Sequence, residues 1–167
     1  SITFFGLAGG DAPTINLDKN FDISGSHAYI KFQNVKLVEN GAGYFINQSK
    51  ACTVSEFTLE DCEVSNAKTS FFRLQGTEAK SIGKLTLKNS IFTNLCAGYG
   101  FIHVDAGSGA GHVDNVEIDG CTFNGICKTG KVFIFSKKTN MQDITIKNST
   151  FYNCNGGGQY FVDFNAD

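Results

Sequence analysis

The sequence has few charged residues and no strong net charge. Lysine, arginine, aspartate and glutamate make up 18% of its 167 residues, and the formal net charge is −2. Nucleic-acid binding and anionic-membrane binding both need a basic surface, so neither partner is indicated. The chain also lacks an apolar run of about 18 residues, the length that a transmembrane helix needs, so no membrane-spanning segment is predicted.

Metal-ligand motifs and helical periodicity are absent as well. None of the six cysteines belongs to a C-x-x-C pair and the chain has only three histidines, so we expect no metal site and no cofactor. No segment shows the sustained i, i+3, i+4, i+7 spacing of an amphipathic helix. Apolar residues instead alternate at spacing two in short runs rich in β-branched and aromatic side chains, which indicates strands.

What the sequence does contain is an internal repeat. The stretch from Phe57 to Val64 recurs three times with the same apolar spacing, and a weaker copy precedes it. One apolar position of the five copies recurs after 27, 28, 31 and 28 residues: Phe32, Leu59, Leu87, Ile118 and Ile146. This period is too short for a propeller blade, and the leucine-rich repeat motif is absent. It suits a parallel β-helix, in which each strand pairs with its equivalent one coil away, about 4.8 Å along the axis.

The repeat predicts one all-β domain, a single-stranded right-handed parallel β-helix (β-solenoid) of about six coils of 27–31 residues. Residues 1–26 form an irregular opening coil of the domain 1–167, and the regular coils are 27–53, 54–81, 82–112, 113–140 and 141–167. The last coil has no polar cap, and open edge strands template further pairing. We therefore expect a piece of a longer protein, whose open end meets further domains of the same chain or another copy.

Equivalent positions of successive coils form columns along the solenoid. One column holds residue types that tolerate a left-handed backbone at a turn: Asn34, Asp61, Asn89, Gly120 and Asn148. An outward column alternates in charge from coil to coil: Glu60, Lys88, Asp119 and Lys147. Opposite charges on facing strand positions each stabilise a sheet by about 0.2–1 kcal/mol. We interpret the charged column as a ladder that fixes register rather than as a ligand-binding stripe.

The spacing of the cysteines restricts their pairing. Cys62 and Cys121 share a column but lie two coils apart, about 9.5 Å, which is too far for a disulfide. Cys96 and Cys127 are predicted to be axial neighbours, and Cys154 is a candidate to join them. Two interpretations stay open, a bridge between Cys96 and Cys127 or small buried thiols that fill the turns.

The rung pattern I-x-N-V-x-I-x-N-C/S-x-F, matched by residues 113–123 and 141–151, resembles that of pectate-lyase-like right-handed β-helices. Residues 1–15 look like the opening coil of that family, and the chain is most similar to uncharacterised domains of bacterial polysaccharide-utilisation proteins. The resemblance implies a polysaccharide as partner and a secreted or bacterial cell-surface location. Because it rests on core and turn positions, it is specific for the fold and weak for function.

Catalytic motifs of that family are not visible in the sequence. A lyase of this type needs an aspartate cluster for Ca²⁺ and a base, and a hydrolase needs clustered aspartates with Gly-His-Gly and Arg-x-Lys motifs. Neither set is present, and no close aspartate pair suits acid–base chemistry. The catalytic residues are therefore unknown, and Ca²⁺ is expected only if the chain is a lyase.

The candidate ligand site is the outward face of the second apolar cluster of each coil. We expect four pairs of residues to point inward: Phe72 and Leu74, Ile102 and Val104, Phe133 and Phe135, and Val162 and Phe164. The outward line is then Arg73, His103, Ile134 and Asp163, with Gln75, Asp105, Ser136 and Asn165 in the adjacent line. With Tyr99 from a turn, the candidate residues are Arg73, His103, Asp105, Asp163 and Tyr99.

This cluster is suited to bind an acidic sugar, or to use His103 and Asp105 as acid and base. The alternative is a solvated strand face with incidental pairing. Three functions follow: a non-catalytic extracellular polysaccharide-binding module, which we favour; a polysaccharide lyase or glycoside hydrolase; and a structural stalk or adhesin-like spacer.

Overall fold

The computed structural model describes residues 1–41, 43–96, 98–107, 110–128, 132–137, 140–154 and 160–165. Within these ranges the chain forms seventeen β-strands arranged in three parallel sheets. Each complete turn of the chain contributes one strand to each sheet in succession, which defines a parallel β-solenoid of the right-handed type. The predicted fold class is therefore confirmed.

Sheet A contains the long strands of the repeat: β1 (Ile2–Phe5), β3 (Gly25–Gln33), β6 (Cys52–Glu60), β9 (Lys80–Lys88), β12 (Gly111–Asp119) and β15 (Met141–Lys147). Sheet B contains short strands: β2 (Thr14–Leu17), β4 (Lys36–Glu39), β7 (Glu63–Ser65), β10 (Ile91–Thr93), β13 (Thr122–Asn124) and β16 (Thr150–Tyr152). Sheet C contains β5 (Tyr44–Gln48), β8 (Ser70–Leu74), β11 (Ile102–Val104), β14 (Ile134–Lys137) and β17 (Val162–Asn165).

The opening turn has strands in sheets A and B. It meets sheet C through an isolated bridge between Phe21 and Ile46 and through hydrogen bonds between the Ile23 backbone and the Gln48 side chain. Five complete turns follow, close to the predicted six coils. The register of sheet A is the one that the repeat predicts, because Leu59 pairs with Phe32 on one side and with Leu87 on the other.

The core consists of side-chain columns that run along the solenoid axis. In the predicted column Leu59, Leu87 and Ile118 are fully buried. A second predicted column stacks its aromatic rings, with centroids of Phe92 and Phe123 5.0 Å apart. A third column, which the sequence did not reveal, lies at the start of the sheet C strands. Its rings stack nearly parallel to one another: Phe45, Phe71, Phe101, Phe133 and Phe161.

The turn between sheets A and B has a left-handed residue in every complete coil. The predicted column has φ angles of 51°, 54°, 48°, 66° and 52° at Asn34, Asp61, Asn89, Gly120 and Asn148. Asparagine, aspartate and glycine adopt this conformation at low cost, which explains the residue choice. A second left-handed column, which the sequence pattern did not predict, follows sheet B: Asn66, Asn94, Gly125 and Asn153.

The charged columns of sheet A form ion pairs between coils. Within the predicted ladder, Lys88 forms an ion pair with Glu60 at 3.2 Å, and Lys147 forms one with Asp119 at 3.6 Å. Ion pairs also form between this column and the neighbouring one, where the Glu117 carboxylate lies 3.0 Å from the Lys147 ammonium group. The expected one-column ladder is thus part of a wider network of ion pairs that links coils along the outer face of sheet A.

Glu117 lies between two lysines, Lys84 at 2.7 Å and Lys147, and their hydrogen bonds lower its pKa to about 2. Since the pKa is lower in the folded than in the unfolded chain, this carboxylate stabilises the fold above its ordinary pKa of 4.5 and loses that effect as the pH falls toward 2.

Between pH 5 and pH 2 we expect the wild type to lose about 1–2 °C more in Tm than Glu117→Gln, by thermal circular dichroism. Glu63→Gln, which removes the more exposed pair with Lys36, is the control. Equal losses in wild type and Glu117→Gln would contradict the assignment.

All six cysteines are free, and five of them are buried. Cys62 and Cys121 lie two rungs apart as predicted, with the backbone N–H of Cys62 bonded to the hydroxyl of the intervening Ser90. Cys154 does not join Cys96 and Cys127. Gly125 N–H bonds the Tyr152 carbonyl, which places Cys154 opposite Ile126, one position before Cys127.

Candidate functional site

The candidate site lies on the outer surface of sheet C. Strands β8 and β11 are paired so that Arg73 lies opposite His103. The residues on either side of each, such as Phe72 and Leu74, are fully buried. Because side chains alternate across a strand, Arg73 and His103 face outward, as the sequence predicts.

The next strand departs from the prediction by one residue. In β14, Ile134 pairs with Ile102 and is fully buried, whereas Phe135 pairs with His103 and faces outward. The expectation that Ile134 lies on the outer face is therefore wrong. The run from Val132 to Phe135 is apolar throughout, so its hydrophobic pattern does not decide which residues face the core.

Ser136 was also expected on the outer face, and this prediction is wrong for the same reason. It pairs with Val104 and is fully buried. Among the described residues, its hydroxyl is the buried side-chain group without a hydrogen-bond partner. It therefore contributes nothing to an outer binding surface.

Arg73 is the centre of the site. Its Nε and Nη2 donate to the two carboxylate oxygens of Asp105 at 3.1 and 2.6 Å, and its Nη1 donates to the Tyr44 hydroxyl at 3.3 Å. The guanidinium lies over the Tyr99 ring, 4.1 Å from the centroid, which is a cation–π geometry. Burial acts to lower the pKa of Arg73, but the bonds to Asp105 and Tyr44 outweigh it and the pKa is raised.

His103 lies beside this ion pair between two aromatic rings. Its ring centroid is 4.9 Å from that of Tyr99 and 4.5 Å from that of Phe135, on which it stacks. The Gly100 N–H donates to Nδ1 at 3.4 Å, so the neutral ring carries its proton on Nε2. That nitrogen is 3.7 Å from Asp105 Oδ2. Asp105 therefore faces both Arg73 and His103.

The structure brings four of the five predicted residues together: Arg73, His103, Asp105 and Tyr99. The fifth residue, Asp163 on β17, pairs with Phe135 on β14, which in turn pairs with His103 on β11. Asp163 is therefore two rungs from His103, about 9.5 Å along the sheet. Tyr44 and Phe135 complete the cluster, which we call the sheet C patch: Tyr44, Arg73, Tyr99, His103, Asp105 and Phe135.

The chemistry of the sheet C patch follows from its pairing. Asp105 already neutralises Arg73, and their side chains are only 23% and 12% exposed, so the patch offers no free cation for an acidic group. It offers the 38% exposed Tyr99 ring and a carboxylate fixed in orientation. Gln75 donates to Asn47 at 2.7 Å, and Asn47 pairs with Arg73, so two half-buried amides adjoin the patch. Apolar ring surface next to fixed polar groups is typical of small-molecule sites.

A second concave feature lies at the open N-terminal end of the solenoid. It is an apolar cavity of about 270 Å³ lined by residues that include Phe4, Phe21, Ile30 and Phe57. Phe5 at the end of β1 and Leu7 just after it are 64% and 77% exposed. End-to-end contact with further protein, predicted from the sequence, stays a prediction.

Within the described ranges, no group of three or more His, Cys, Asp or Glu side chains is placed to hold a metal ion. The same part of the chain contains no helix long and apolar enough to cross a membrane. Comparison with protein-family models, curated proteins and solved structures finds no match. The class of protein is therefore defined by its fold, a parallel β-solenoid, and the resemblance to pectate-lyase-like proteins stays a prediction.

Proposed function

We propose that the chain is a polysaccharide-binding β-solenoid module of pectate-lyase-like type that acts outside the cell or at a bacterial cell surface. The binding site is the sheet C patch. The observation that supports it is the exposed Tyr99 ring held against Arg73, beside the fixed carboxylate of Asp105. Such a ring supplies apolar surface at low conformational entropy cost, and the carboxylate accepts hydrogen bonds from hydroxyl groups.

The pairing within the patch favours neutral over acidic sugars. A carboxylate on the ligand would have to displace Asp105 from Arg73, breaking a bidentate, charge-assisted interaction that is already partly buried. Sugar hydroxyls instead donate to Asp105 without separating the ion pair. This changes the ligand class suggested by the sequence, where the cluster of Arg73, His103 and Asp105 pointed to acidic sugars.

A glycan array of neutral and acidic polysaccharides, probed with the whole chain, tests the proposal. We expect binding to neutral glycans that persists at high salt, since no net charge is matched. Absence of binding across the array would overturn the proposal and favour the stalk or spacer function. Incubating acidic polysaccharides with and without Ca²⁺ and following absorbance of an unsaturated product is the second arm. Product formation would replace a binding function with a lyase.

A further inference from the structure

Cys96 and Cys127 lie opposite each other on adjacent rungs. In the parallel ladders a residue donates its N–H to the carbonyl that precedes its partner, as Ile91 does to Cys62 while pairing with Glu63. Cys127 N–H donates to the Leu95 carbonyl at 3.0 Å, which by the same rule makes Cys96 its partner. Adjacent rungs are about 4.8 Å apart, within the Cα separations that disulfides span.

The two thiols also face the same interior space. Cys96 and Cys127 both have a left-handed backbone, with φ angles of 67° and 54°, so their side chains leave the chain in similar directions. Both are essentially inaccessible to solvent, at 1% and 0% exposed. Burial, the larger cause, and a hydrogen bond with Cys127 raise the pKa of Cys96 well above its ordinary value. The thiols are therefore in contact with each other but shielded from reagents.

Among the described cysteines, no other pair has this arrangement. Cys62 and Cys121 are separated by the rung that carries Ser90, and Cys154 bonds the carbonyls of Phe123 and Tyr152. Cys52 pairs in register with Gly25 and Lys80. The geometry singles out one pair rather than a general clustering of thiols.

We propose that Cys96 and Cys127 are a modification site, at which an intramolecular disulfide forms under oxidising conditions. The bond joins the fourth and fifth turns, counted from the opening turn. The oxidant is a low-molecular-weight disulfide such as oxidised glutathione. One protein thiolate attacks it and releases one glutathione thiol, and the second protein thiolate then attacks the mixed disulfide and releases the other. Two electrons pass to the oxidant, two protons leave the protein, and one sulfur–sulfur bond replaces another.

Two properties of this bond follow from the fold. Side chains that leave adjacent rungs in similar directions keep their Cβ atoms near the rung spacing of about 4.8 Å, more than the ~3.8 Å typical of disulfides. Strain in the bond therefore offsets part of the stabilisation that loop closure gives. The bond also closes a loop across one full turn, so the oxidised chain has the higher Tm, by about 5 °C or more.

The test is to refold the whole chain from urea in a glutathione redox buffer, which removes the barrier of burial, then alkylate free thiols and map peptides by mass spectrometry. We expect a cross-linked peptide pair containing Cys96 and Cys127, lighter by two hydrogen atoms, and a Tm that falls when a thiol reductant is added. Cys127→Ser abolishes both effects, and the matched variant Cys62→Ser abolishes neither. Alkylation of both Cys96 and Cys127 after refolding, or cross-links spread over other pairs, would overturn the proposal.

Discussion

Replacing Phe123 by alanine is expected to lower the free energy of unfolding by about 3–5 kcal/mol, the largest effect of any single change considered. Phe123 is fully buried and is stacked between Phe92 and Phe151, at 5.0 and 4.7 Å. It also makes edge contacts with Phe101 and Phe133, at 5.3 and 5.2 Å. Truncation leaves a ring-sized cavity where two aromatic columns meet, which the surrounding strands cannot close without losing register.

Urea unfolding followed by circular dichroism measures this effect. Phe123→Leu, which keeps most of the buried volume, is expected to lose less stability than alanine. Tyr152→Ala is the control for loss of an aromatic side chain, because Tyr152 is 68% exposed. A loss below 1 kcal/mol for Phe123→Ala would show that the aromatic columns do not hold the coils together.

Removing the Arg73 side chain is expected to lower the free energy of unfolding by about 2–3 kcal/mol. Arg73→Ala leaves the partly buried Asp105 carboxylate without its bidentate partner and Tyr99 without the cation over its ring. The loss is smaller than the ~3–5 kcal/mol for a fully buried ion pair, because both side chains retain some contact with water. Asp105→Ala is expected to have a similar effect, with a coupling free energy of about 1–3 kcal/mol between the two.

A double-mutant cycle on Arg73 and Asp105 measures that coupling. The same cycle on Lys36 and Glu63 is the control, since this pair on sheet B is 40% and 54% exposed and should couple by less than about 1 kcal/mol. Equal coupling in the two cycles would mean that the sheet C patch is no better ordered than an ordinary surface. The assignment of Arg73 as its organising residue would then fail.

The fold was predictable from the sequence because a solenoid repeats each structural requirement in every coil. The left-handed turn that Asn89 adopts is also adopted by Asn34, Asp61, Gly120 and Asn148, so a weak preference at one position becomes a clear pattern over five. Alternation in sheet A is equally regular, and it fixed both the register and the inward column that contains Leu59.

The candidate site was less predictable because sheet C begins with apolar doublets. Phe71 and Phe72 are both fully buried, as are Phe133 and Ile134, so the doublets are not alternating strand positions. The inward and outward faces could be counted correctly in β8 and β11 but not in β14, where Phe135 was assigned to the core. The pairing of Arg73 with Asp105 depends on side-chain conformations across coils, which no sequence pattern specifies.

The most direct measurement of the proposed function uses the neutral polysaccharide that binds best on the array, titrated calorimetrically into three forms of the chain. Tyr99→Ala removes the exposed ring of the sheet C patch, and Tyr152→Ala removes an exposed ring on sheet B. We expect Tyr99→Ala to weaken binding by about tenfold or more and Tyr152→Ala to leave it unchanged. Equal affinity of the wild type and Tyr99→Ala would contradict the placement of the binding site on sheet C.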